Sequence, residues 1–176
     1  MPIHRPINGQ ATKPKKSFYV IAHNIRSLHN VGSIFRTADA FGIEKIFLTG
    51  YTPTPKLEKH RLKINKVALG AEKFVEWEYQ KSAARLIKKL QKKKTAILAL
   101  ENNASSAIDI SSGQARTIFK NDRVALVLGE ERKGINKKLL ALCDMIVEIP
   151  MKGEKESLNV SVAFGVAAYE ISKWLN

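Results

Sequence analysis

The chain has 176 residues, 44% of them hydrophobic, enough for one domain with a sizeable core. Thirty Lys and Arg stand against sixteen Asp and Glu, a formal charge of +14 with a pI near 9.9, which points to a polyanionic partner, nucleic acid before an anionic membrane. A single cysteine, Cys143, excludes an internal disulfide framework and a cysteine-based zinc site; no apolar run suits a membrane span and the N-terminus lacks the core of a secretory signal, so a cytoplasmic location is expected.

In chain order, residues 1–16 are polar and basic with three prolines, the composition of a loosely docked arm. Residues 17–176 are expected to form a single domain. "SFYVIAHN" is a β-branched and aromatic run, a buried strand. "VGSIFRTADAFG" carries Ile34, Phe35, Ala38 and Phe41 at helical spacing, with Gly42 as its stop. "EKIFLTG" is a second strand. The segment "YTPTPKLEKHRLKINKVALGAEK" reads as a long basic connection, and such loops are commonly functional. "FVEWEY" alternates as a strand does. "KSAARLIKKLQKKK" is an amphipathic helix with Ala84, Leu86, Ile87 and Leu90 inward and its lysines on a solvated face. "TAILAL" is a strand, "RVALVLG" a continuous apolar strand covered on both faces, "NKKLLALC" a short helix, "MIVEIP" a strand, and "LNVSVAFGVAAYEISKWL" the closing helix. Strands alternate with helices, which predicts an α/β fold: a parallel sheet with helices on both faces.

In such sheets ligands bind beyond the C-terminal strand ends. Three of these ends lead into unusual loops: "NIRSLHNVGSIFRT", "EERKGI" and "MKGEKESLNVSVA". Each also has a plain structural reading. Asn30 caps the helix that follows it; Gly129 and Gly134 bound a strand–helix turn; Ser157 or Asn159 caps the last helix. Arg36 is harder to place this way, because it falls in an apolar helix and a guanidinium is costly to bury without a partner. Neither a Walker loop nor GxGxxG is present, which weakens a nucleotide-binding enzyme. His4, His23, His29 and His60 lack metal-ligand spacing, and no nucleophile elbow occurs.

Taken in order, "NIRSLHNVGSIFRTADAFG", "ALVLGEERKGI" and "VEIPMKGEKESLNVSVAFGVAAYE" resemble the SpoU/TrmH family of RNA ribose 2′-O-methyltransferases, within the SPOUT class. The likeness runs from about Ser17 to Leu175. It implies a C-terminal deep trefoil knot, S-adenosylmethionine as cofactor and a homodimer acting on tRNA or rRNA, with the first-signature helix and the final helix as the dimer face. Carried over by position, Arg36 is the catalytic arginine, activating the ribose hydroxyl as base or as electrostatic stabiliser. Asn30, Glu131, Ser157 and Asn159 accompany it, and Leu100, Gly129, Ile149 and Leu158 line the cofactor pocket. Relatives with helical extensions or a separate RNA-binding domain have no counterpart segments here, so a near-minimal catalytic domain is expected. The arm and Lys56–Lys66 are candidates for added RNA contacts. The alternative is a knotted RNA-binding protein without turnover.

Overall fold

The computed structural model describes residues 16–102, 104–117 and 122–175. Its strands are β1 (Ser17–His23), β2 (Lys45–Thr49), β3 (Glu76–Gln80), β4 (Ala96–Leu100), β5 (Ile108–Asp109), β6 (Arg123–Leu128) and β7 (Met145–Glu148). They form one sheet in the order β3-β2-β1-β6-β4-β7-β5, with every pairing parallel. The helices are α1 (Leu28–Ala40), α2 (Glu58–Ala68), α3 (Ala83–Lys92), α4 (Gly113–Arg116), α5 (Lys137–Leu140) and α6 (Val160–Leu175).

Both faces of the central strands are covered, which is why they read as unbroken apolar runs. Phe18, Val20 and Ala22 of β1 join Ile46, Leu48, Leu98, Val124, Leu126 and Leu128 in a core closed by α1, α2 and α6. The alternate residues Ile21, Phe47, Ile97, Ala99, Ala125 and Val127 pack on Ala83, Leu86, Ile87 and Leu90 of α3 and on Leu139 of α5. Full burial of each large aliphatic side chain contributes about 1.5–3 kcal/mol. The buried set of α3 is the expected one except that Ala83, not Ala84, is the more deeply covered alanine.

The basic connection after β2 is not a loop throughout. Residues 58–68 form α2, with Ile64 and Ala68 buried against α1. The helix ends at Leu69, in a left-handed conformation (φ 53°), whose N–H returns to the Asn65 carbonyl. Two helices meet closely there: a Cβ on Gly32 would lie 2.7 Å from the Ile64 carbonyl oxygen and 2.8 Å from Val67 Cβ. Residues 101–122, to which no element was assigned from sequence, hold the short β5 and α4. The predicted basic arm lies outside the described residues except for Lys16, whose Nζ donates to the Trp174 carbonyl at 3.3 Å.

β6 lies between β1 and β4, although β2 to β5 come between β1 and β6 along the chain. The C-terminal ends of β1, β6, β4 and β7 are thereby adjacent, and the three polar loops leave from this edge. Among the described residues no helix is long and apolar enough to cross a membrane.

Candidate active site

A cleft opens at this edge between the ends of β4, β6 and β7. Its walls include Leu100, Leu128, Gly129, Ile149, Leu158 and Val160, and its rim carries Glu101, Glu130, Glu131, Arg132, Lys133 and Ser157. The floor depends on close backbone packing. A Cβ on Gly129 would stand 2.5 Å from the carbonyl carbon of Gly134, so this glycine serves close approach rather than a positive φ. Gly134 itself takes φ +63° and closes the turn through its N–H to the Glu130 carbonyl at 2.8 Å. Glu101 clasps the same turn, accepting the Ile135 N–H at 2.7 Å. Burial pushes the Glu101 carboxyl above its ordinary range, against the opposing hydrogen bonds from the Ile135 and Asn102 backbone. Asn102 secures the opposite wall: its amide donates to the carbonyls of Ile149 (3.3 Å) and Glu156 (3.2 Å).

One hydrogen-bond chain joins the three loops. Asn159 Nδ2 donates to Asn30 Oδ1 at 3.2 Å, and Asn30 Nδ2 donates to Glu131 Oε1 at 3.0 Å. Glu131 also accepts the N–H of Ser27 at 3.0 Å and of Arg26 at 3.1 Å. Burial alone raises the Glu131 pKa, but these N–H groups and the Asn30 amide outweigh it and hold the carboxylate below its ordinary range. Asn30 is buried, and it does not cap α1. Ser27 does, accepting the Asn30 N–H at 3.3 Å, so the Asn30 side chain is free to bridge. Asn159 has both roles, since its Oδ1 accepts the Ser161 N–H at 2.9 Å at the start of α6.

Of the residues singled out from sequence, Leu100, Gly129, Ile149, Leu158, Glu131 and Ser157 meet on the cleft, and Asn159 bonds directly to Asn30, which in turn bonds to Glu131. Arg36 stands apart. It is exposed, it is absent from the cleft walls, and no hydrogen bond or ion pair within the described residues reaches it. The expected burial cost of its charge therefore does not arise: its position in α1 points outward between the buried Phe35 and Ala38. Six residues separate it from Asn30, about 9 Å along the helix axis at 1.5 Å per residue. Glu101 and Asn102 were missed from sequence, although two polar residues directly after an apolar strand at this edge are the available signal.

His23 is bound to Thr49 Oγ1 at 2.9 Å, and burial lowers its pKa. Burial and the neighbouring Asp144 push the Cys143 thiol up to about 12, which disfavours the thiolate.

The pattern of the SpoU rRNA Methylase family matches residues 17–169. The chain is 32% identical over 146 residues to the 23S rRNA (guanosine-2′-O-)-methyltransferase RlmB of Pseudomonas aeruginosa, covering 81% of this chain and 53% of that enzyme. The chain spans between 53% and 61% of the length of the first curated relatives it matches. Among solved structures, the TrmH/SpoU tRNA modifying enzyme of A. aeolicus superposes with a TM-score of 0.75 at 25% identity, over 90% of this chain and 75% of that one. A structure described by the 2-OH methylation of C/U34 on tRNA gives the same score and identity over 92% of this chain and 97% of that one. With a family match over most of its length and a parallel sheet of the same architecture, the chain belongs to the SpoU methylase family.

Proposed function

We propose that this chain is an S-adenosylmethionine-dependent methyltransferase acting on a ribose 2′-OH of structured tRNA or rRNA. The observation that carries the reading is the Asn159–Asn30–Glu131 chain, which ties three separate loops into one rim beside the cleft. The RNA-methylating relatives and the charge of +14 support it.

The cleft suits the cofactor. Apolar walls at Leu100, Leu128, Ile149 and Leu158 fit an adenine ring and a methionine chain, and the Glu101 and Glu131 carboxylates complement a cation. When bound between these walls, S-adenosylmethionine would supply an electrophilic methyl group for transfer to the ribose oxygen. Glu131 and Asn159 fix the Asn30 amide, and Ser157 offers a hydroxyl at the rim for the ribose. Arg36, always charged, sits against an RNA phosphate and stabilises the negative charge that develops on the 2′-oxygen as the hydroxyl proton passes to solvent water.

A homodimer and a deep trefoil knot belong to the same reading. The exposed row Val162, Val166 and Tyr169 on α6, beside α1, supports the dimer. The central place of β6, between β1 and β4, and the binding of the loop after β7 to Asn102 support the knot. An experimental chain trace that can be pulled straight would contradict the knot.

Turnover of Arg36→Ala and Arg36→Lys tests the catalytic assignment. Both are expected to lose at least about 100-fold, the order found when a transition-state donor is removed, with S-adenosylmethionine affinity unchanged in calorimetry. Near-wild-type rates would overturn it. A wild-type chain that binds RNA but not S-adenosylmethionine would favour a non-catalytic RNA-binding protein.

A further inference from the structure

Tyr51 follows β2 at the same sheet edge, and 55% of its surface is exposed. The turn that presents it is fixed on both sides. Before it, Gly50 takes φ +67°, and a Cβ there would stand 1.9 Å from Asn24 Oδ1. That oxygen accepts the Tyr51 N–H at 3.2 Å, and the Tyr79 hydroxyl donates to the Gly50 carbonyl at 2.8 Å. After it, Thr52 is 3% exposed; its hydroxyl meets the carbonyls of Ala22 and Thr49, both at 2.9 Å, and accepts the Ile25 N–H at 3.0 Å. All of these bonds use the backbone of Tyr51 or the side chains of its neighbours. The backbone of the turn is fixed without the ring, whose one polar partner is the Glu130 carboxylate at its hydroxyl, leaving the ring face exposed.

A lone exposed aromatic is ordinary. This one shares a depression with Arg26, Arg132 and Lys133, opposed by Glu130 in its lining and by Glu131 close enough to act on the same ring. Arg132, Lys133 and Glu130 also line the cleft, and the Arg26 N–H binds Glu131. A flat π face flanked by three cations fits a ligand with an unstacked base and neighbouring phosphates. In RNA such a ligand is a single-stranded or extruded nucleotide.

We propose that Tyr51 is a positioning residue, the platform on which a base of the RNA stacks next to the cleft, while Arg26, Arg132 and Lys133 hold the adjoining phosphates. The inference rests on the methyltransferase reading for its purpose but not for its test. The probe is a fluorescein-labelled single-stranded pentaribonucleotide of mixed sequence, titrated at several salt concentrations. Tyr51→Ala is expected to weaken binding by about tenfold or more with an unchanged salt slope, because stacking carries no counterion. Tyr51→Phe restores the affinity, since the ring face and not the hydroxyl is used. Arg132→Ala flattens the salt slope by about one phosphate contact. Equal melting temperatures establish that the variants are folded. Wild-type affinity in Tyr51→Ala, or equal losses in the Phe and Ala variants, would overturn the platform. Titration with S-adenosylmethionine alone separates the two ideas: a chain that stacks the oligonucleotide through Tyr51 but ignores the cofactor sinks the methyltransferase reading and leaves the platform standing.

Discussion

Glu131 gathers donors from three places, the Arg26 and Ser27 backbone and the Asn30 amide, at 3.0–3.1 Å. Its carboxylate is held below the ordinary range, so the sign of its linkage is fixed. The stabilisation is fully present above the unfolded value of 4.5 and is lost as pH falls through the lower folded value. Glu131→Gln turns an amide N–H toward these donors and is expected to cost about 1–2 kcal/mol near neutral pH. Melting curves check this: the gap between variant and wild type narrows as pH falls below 4.5 and closes once the wild-type carboxylate protonates in the folded chain. A gap independent of pH would show that the charge is not what the rim uses. At this scale the sequence was readable where a polar residue lies in a loop at a strand end. Asn159 qualifies, and Asn30 lies in the first turn of the helix beyond such a loop, while Glu131 was marked by the family resemblance alone. The choice between capping and bridging was not readable, because it turned on Ser27 taking the cap of α1.

At the scale of elements, α1 and α2 meet over Gly32, where an added Cβ has no room beside the Ile64 carbonyl and Val67. Gly32→Ala is expected to destabilise the chain by about 1–3 kcal/mol, the usual cost of overpacking. Denaturant unfolding measures it, and a change under about 0.5 kcal/mol would mean that the helices part freely. The same contact explains why α2 was missed. Its inward residues Ile64 and Ala68 keep helical spacing, but lysines and an arginine surround them and two prolines precede them. Central strands were easy to find because both faces are buried and their middle residues are apolar. A two-residue strand such as β5 and a four-residue helix such as α4 have no period to detect.

For the whole molecule, periodicity gives strands but not their order. The place of β6 between β1 and β4 depends on contacts distant in sequence, and it sets which loops are neighbours. That the three loops share an edge is expected of any parallel sheet; the strand order itself is not, and of the fold the family resemblance supplied only the sheet and a C-terminal knot. It also supplied the dimer, to which the exposed row on α6 lends physical support. Sedimentation at micromolar concentration is expected to give twice the chain mass, and a monomer would contradict it. The central claim is tested most directly by supplying S-adenosylmethionine labelled in its methyl group, with RNA from cells in which this gene is deleted, and digesting the product for mass spectrometry of nucleosides. The predicted result is label in a 2′-O-methylated nucleoside, absent with Arg36→Ala. Label on a base, or none from a chain that binds both S-adenosylmethionine and RNA, would contradict it.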